Sequence, residues 1–161
     1  MKKLVVVRHG KSSWKHDLPD DKRPLKSRGK TDAKLVSKHF KSKNVLPDIV
    51  LSSPAVRAFT TCEIFCENLN LPIENVEVIE NLYDFQGDNV IEILKNLDNN
   101  YDIVMIFGHN HAFTSICNIF GDKFIDNLPT SGLVVINLDI DSWGDLKQGQ
   151  TELIIFPKDL K

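Results

Sequence analysis

Short apolar runs rich in Val and Ile recur along the chain at 4–7, 49–51, 76–79, 103–107, 133–138 and 153–156. Continuous runs of this length, without strict alternation, predict strands buried on both faces of a mostly parallel sheet. Between them the spacing of apolar positions changes to that of helices. In 27–42, Ala33, Val36 and Phe40 share one face and Lys30, Lys34, Lys38 and Lys41 the other, the pattern of an amphipathic surface helix. The segment 54–69 is expected to start with Ser53 as N-cap and Pro54 at the first helical position, with Val56, Phe59, Cys62, Cys66 and Leu69 as its inward stripe. Residues 88–97 and 111–120 read as two further helices.

Strands alternating with helices imply a three-layer α/β/α sandwich, its helices crossing over on both faces by right-handed connections. No helical stretch separates the final two strand candidates, and Ser142-Trp143-Gly144-Asp145 can turn the chain between them. One edge of the central sheet is therefore expected to be antiparallel. Neither a linker nor a repeat divides the 161 residues, so 1–161 reads as a single domain. The least patterned stretch is 11–24, a charged loop after the first strand, placed where it could rim a site.

A hydrophobic fraction of 42% against 26% charged residues belongs to a chain that folds by itself. The net charge of −2 gives no reason to expect nucleic acid or an anionic membrane as partner. Arg8 and His9 interrupt the first apolar run before it could serve as a signal-peptide core, and no later run is long enough to span a bilayer; a cytoplasmic protein is expected. Cys62, Cys66 and Cys117 form neither a CxxC pair nor a complete zinc spacing, and read as reduced core thiols.

Ligands of open α/β sheets bind beyond the carboxyl ends of the parallel strands. Three polar sets fall there: Arg8-His9-Gly10 after the first strand, Ser52-Ser53-Pro54 leading to Arg57, and Gly108-His109-Asn110 after Phe107. Arg57 lies in the first turn of its helix, where the macrodipole is positive and free N–H groups point outward. A bound phosphate would satisfy both the guanidinium and the helix end, although a nearby carboxylate could also pair with it. Gly10 and Gly108 would let backbone approach a ligand closely. A metal site of His9, His109 and His111 is disfavoured, because no carboxylate is fixed near them by spacing.

These motifs, in this order, resemble the histidine phosphatase superfamily, also called phosphoglycerate mutase-like. Arg8-His9-Gly10-Lys11-Ser12-Ser13-Trp14, Arg23-Pro24-Leu25 with Arg28-Gly29, and the short length are most similar to its SixA-type phosphohistidine phosphatases. The resemblance implies His9 as a nucleophile that carries the phosphoryl group, Arg8 and Arg57 as phosphate clamps, and His109 as a second histidine stabilising the group in transfer. It implies no cofactor and no metal. Positioning and charge stabilisation dominate phosphoryl transfer, so two guanidiniums and an imidazole are a sufficient set.

Many members carry a Leu-x-Glu acid after the third strand; Leu82-Tyr83-Asp84 makes Asp84 the candidate here, with Glu80 and Asp88 as competitors. Lys15 stands where mutase-like members often have Asn, so Ser12 or Lys15 is the expected extra phosphate contact. Short connections after the second strand leave little chain for a lid, which favours a phosphohistidine protein over a small phosphate ester as substrate, with inorganic phosphate as product. A small-molecule phosphomonoesterase or mutase and a non-catalytic phosphate-binding module remain the alternative readings.

Overall fold

The computed structural model describes residues 1–161. Six strands form one sheet: β1 (Lys2–Arg8), β2 (Ile49–Ser52), β3 (Glu77–Val78), β4 (Ile103–Gly108), β5 (Leu133–Leu138) and β6 (Gln150–Ile155), in the order β3-β2-β4-β1-β5-β6. The first four run parallel, while β5 is antiparallel to both β1 and β6, so the sheet has the expected antiparallel edge. Four helices connect them: α1 (Ser27–Lys41), α2 (Val56–Leu69), α3 (Asp88–Lys95) and α4 (Ala112–Phe120). No helix is long and apolar enough to cross a membrane.

Because successive strand residues point to opposite faces, the apolar runs divide between two cores. Val5, Val7, Met105 and Phe107 pack with Ala33, Val36 and Phe40 of α1 and Cys62, Phe65 and Cys66 of α2. Leu4, Val6, Val104 and Ile106 pack on the other face with Val90 and Leu94 of α3 and Phe113, Ile116 and Cys117 of α4. That division is why the central strands carry apolar residues without alternation. All three cysteines are buried and free, as the sequence indicated.

Two elements differ from expectation. The run 76–79 forms only a two-residue strand, both residues exposed, because β3 is an edge strand that pairs with β2 alone. The second helix starts at Val56, not Pro54, and its N-cap is Ala55 with no side-chain cap. Ser53 is thereby left outside the helix, and its hydroxyl has another use. The turn at 142–145 is a short 3-10 turn whose Trp143 is fully buried, its indole N–H donating to Tyr101 O at 2.8 Å.

Register places the site. Ser52 lies opposite Phe107, and Arg8 opposite Gly108, so the carboxyl ends of β2, β4 and β1 stop side by side. The start of antiparallel β5 closes the same rim: Arg8 N–H donates to Gly132 O at 3.1 Å, and Ser131 N–H to His9 O at 3.0 Å.

Candidate active site

Arg8, His9, Ser12 and Arg57 line one cavity of about 280 Å³ at this rim, together with Asp20 and Arg23. His109 is fully buried behind it, its ring centroid 5.3 Å from that of His9 and packed against Tyr83 and Phe85. Four of the residues selected from sequence thus share a wall and the fifth backs it. Lys15 is not among the cavity residues, so the extra contact expected from it is absent. Ser12 is present, with its Oγ accepting from Arg23 Nη1 at 2.9 Å.

His9 is held in one tautomer. Its Nδ1 lies 2.7 Å from Gly10 O, and since a carbonyl only accepts, Nδ1 carries the hydrogen and Nε2 keeps its lone pair. Burial lowers the pKa of His9 to about 3, with His109, Arg57 and Arg8 adding to the effect against the Gly10 bond. Burial and the charge of Arg57 bring His109 to about 3 as well. Both rings are neutral at pH 7, the state in which an imidazole nitrogen can act as a nucleophile.

The guanidiniums are positioned by short bonds to backbone. Arg8 Nη1 donates to Leu128 O at 2.9 Å and Arg57 Nη1 to Asp20 O at 2.6 Å, while the Nε atoms of both are buried without a partner. Burial and the nearby charge of Arg57 lower the pKa of Arg8. Two cations held this close are a standing attraction for an anion. Gly10 N–H donates to Thr61 Oγ1, which itself donates to Arg57 O, so β1 and α2 are tied together beside the nucleophile.

Asp20 was not singled out from sequence, where it sat within a charged loop. Its Oδ2 accepts from Arg57 Nη2 at 2.9 Å and from the Tyr83 hydroxyl, and its Oδ1 from Arg23 Nε at 3.3 Å. Burial works against its charge, but the Tyr83 and Arg57 bonds outweigh it and bring its pKa to about 2. Pairing of Arg57 with a carboxylate, one of the two partners open to it from sequence, is present with Asp20, while its Nε stays without a partner. The contact spans 37 residues, and no local pattern announces it.

Ser53 also departs from its expected role as a helix cap. Its Oγ accepts from Ala55 N–H at 3.2 Å and lies 2.8 Å from His109 Nε2. His109 Nδ1 is buried without a partner. A hydroxyl has one donor and two acceptor lone pairs, so Ser53 can bond to Nε2 in either tautomer of His109 while still accepting from Ala55. Ser53 is thus a support for the second histidine.

The glycines serve packing more than ligand approach. A Cβ on Gly10 would stand 2.8 Å from Gly29 O, and one on Gly108 would stand 2.6 Å from the Phe113 ring. His111 is exposed, and no three His, Cys, Asp or Glu side chains form a group able to hold a metal ion.

Asp84 requires a correction. Its carboxylate does not line the cavity but accepts four backbone N–H bonds at the start of α3, from Gln86, Gly87, Asn89 and Val90 at 3.0 to 3.2 Å. Such a carboxylate closes the helix start and satisfies otherwise unpaired donors. The structure shows it at work as a cap, outside the cavity lining. Asp20 is the single carboxylate among the cavity residues.

Comparison with known proteins agrees with this geometry. An uncharacterised chloroplast protein of Arabidopsis thaliana is 29% identical over 151 residues, covering 88% of this chain and 69% of that protein. A 2,3-bisphosphoglycerate-dependent phosphoglycerate mutase of Bifidobacterium longum is 36% identical over 104 residues, 56% of this chain and 40% of the mutase. The solved structure of the protein histidine phosphatase SixA complexed with tungstate superposes with a TM-score of 0.83 at 26% identity, covering 99% of both chains. The sequence model of the histidine phosphatase superfamily (branch 1) matches residues 4–105, which contain Arg8, His9 and Arg57, and its phosphatase chemistry fits the residues gathered at the rim. This chain belongs to the histidine phosphatase superfamily.

Proposed function

We propose that the chain hydrolyses phosphohistidine on a protein, through a covalent intermediate on His9. The Nε2 lone pair of His9 attacks phosphorus in line, the bond from phosphorus to the substrate imidazole breaks, and that imidazole is protonated from solvent as it leaves. Arg8, Arg57 and His109 stabilise the equatorial oxygens during transfer. Water then attacks the phosphohistidine on His9, which recovers its lone pair as inorganic phosphate departs. The bond of Nδ1 to Gly10 O keeps the attacking tautomer throughout both steps.

The observation that carries the choice of substrate is the state of the carboxylates. The only one lining the cavity, Asp20, has a pKa near 2, and Asp84 is committed to backbone N–H groups. An alkyl phosphate ester needs a proton delivered to its departing alkoxide, whereas an imidazole leaves readily without a strong acid at hand. Tungstate is a tetrahedral oxyanion, so the tungstate complex of the SixA neighbour supports an oxyanion site on this fold.

A series of substrates tests this reading. A phosphohistidine peptide is expected to be cleaved fastest, aryl phosphates more slowly as their phenol becomes more basic, and alkyl phosphates least. Rapid hydrolysis of an alkyl ester without peptide cleavage would instead establish the metabolite phosphatase or mutase that the bifidobacterial likeness suggests. Tight phosphate binding without any turnover would establish a binding module.

A further inference from the structure

Next to the catalytic cavity is a second depression of about 550 Å³, and Trp14 lines both. Its other walls include Lys15, His16 and Lys26, all exposed, with Leu25 as an apolar floor residue, and no carboxylate lines it. The chain as a whole carries a net charge of −2, so this patch runs against the molecular average. Its two walls are joined by backbone bonds: Ser13 N–H to Pro24 O and Lys26 N–H to Lys11 O, each at 2.8 Å, beside a bridge between Ser12 and Leu25. The groove is therefore built in advance of any occupant.

Trp14 is 74% exposed, yet its orientation is fixed. The guanidinium carbon of Arg23 sits 3.4 Å from the ring centroid, and Arg23 is itself buried and bonded to Ser12 and Asp20 of the catalytic cavity. An indole held flat by a buried arginine loses little entropy when a partner covers it, and exposed aromatics held in this way are suited to protein recognition. Arg23 also couples the position of the indole to the cavity in which His9 lies.

We propose that this groove seats the polypeptide carrying the phosphorylated residue and selects an acidic segment beside it. Trp14 covers the chain next to the phosphorylated side chain, and Lys15 and Lys26 meet its carboxylates. The assignment rests on the reading of a phosphoprotein as substrate and adds the sequence class that the enzyme accepts. Continuity with the catalytic cavity, and two lysines on a wall without a carboxylate, favour an acidic peptide over an apolar one.

The test compares phosphohistidine peptides of equal length with acidic, neutral or basic flanks, and phenyl phosphate as a small ester. The acidic peptide should exceed the neutral one in kcat/KM by roughly two- to thirtyfold at low salt, as two exposed charge contacts provide, and the margin should shrink at high ionic strength. In Lys15→Glu/Lys26→Glu the basic peptide should become the preferred one, while phenyl phosphate turnover stays within about twofold of wild type. Equal cleavage of all three peptides by the wild type, or an unchanged ranking in the double variant, would overturn the groove and leave the phosphoprotein reading standing. Turnover of phenyl phosphate with no cleavage of any peptide would remove both. Stronger competition by a single-stranded oligonucleotide than by the unphosphorylated acidic peptide would also overturn it, since the groove would then be a nucleic-acid site.

Discussion

Acidification should weaken this fold through the two histidines of its active site. Burial keeps His9 and His109 at a pKa of about 3 in the native protein, against 6.5 for an unperturbed imidazole. Between those values the unfolded chain takes up protons that the native chain refuses. Stability therefore rises with pH across this window and is fully present above it. Each pH unit corresponds to about 1.4 kcal/mol per group, so a fall from pH 6.5 to 5 removes about 2 kcal/mol per histidine, with about 4 kcal/mol as the upper bound for both. That is a large share of the roughly 5–15 kcal/mol that stabilises a domain of ordinary size. Asp20, held near 2, also loses stabilisation on acidification, but only below its unperturbed value of 3.8. Urea denaturation at pH 7, 6 and 5 measures the effect, and His9→Asn and His109→Asn should each reduce the slope by about one proton. Inorganic phosphate at pH 5 should restore part of the loss by binding the native state. Midpoints that do not move between pH 7 and 5, or variants that keep the full slope, would refute the assignment of two buried neutral imidazoles.

Three substitutions separate the roles of individual side chains. Asp84→Ala should lower stability by about 2–4 kcal/mol because four backbone donors lose their acceptor, yet leave kcat towards phosphohistidine peptide within about twofold below the melting transition; a folded Asp84→Asn enzyme without activity would return it to the role of acid. Ser53→Ala should lower kcat/KM roughly tenfold and shift the ¹⁵N resonances of the His109 ring as Nε2 loses its partner; unchanged resonances would mean that Ser53 does not support that ring. Arg57→Lys, which removes the planar fork, should raise the phosphate dissociation constant by about 10–100-fold with little change in melting temperature, and an unchanged constant in a phosphate titration would remove Arg57 from the clamp.

The layered architecture could be read from the sequence because each central strand is buried on both faces, a condition that leaves an uninterrupted apolar run. The same pattern misled at 76–79, where pairing with one neighbour only leaves Glu77 and Val78 exposed. Arg8, His9, Arg57 and His109 were legible because they follow strands or begin a helix at one edge of a parallel sheet. Ser53 was misassigned because its side chain answers to a histidine 56 positions away, and a Ser before Pro at a helix start is also what a cap looks like. Asp20 was hidden among other charges in 11–24, and its significance depends on Arg57 and Tyr83 arriving from elsewhere. Asp84 carries a local signal for its capping contacts: an Asp three residues before Gly87 at a helix entrance is a common acceptor for backbone N–H groups.

The phosphoenzyme itself is the most direct test of the mechanism. Protein mixed with ³²P-phosphohistidine peptide, quenched in alkali within milliseconds and digested, should carry alkali-stable label on the peptide containing His9, and His9→Ala should carry none and show no turnover. Label on another residue, or normal hydrolysis by His9→Ala, would contradict the account.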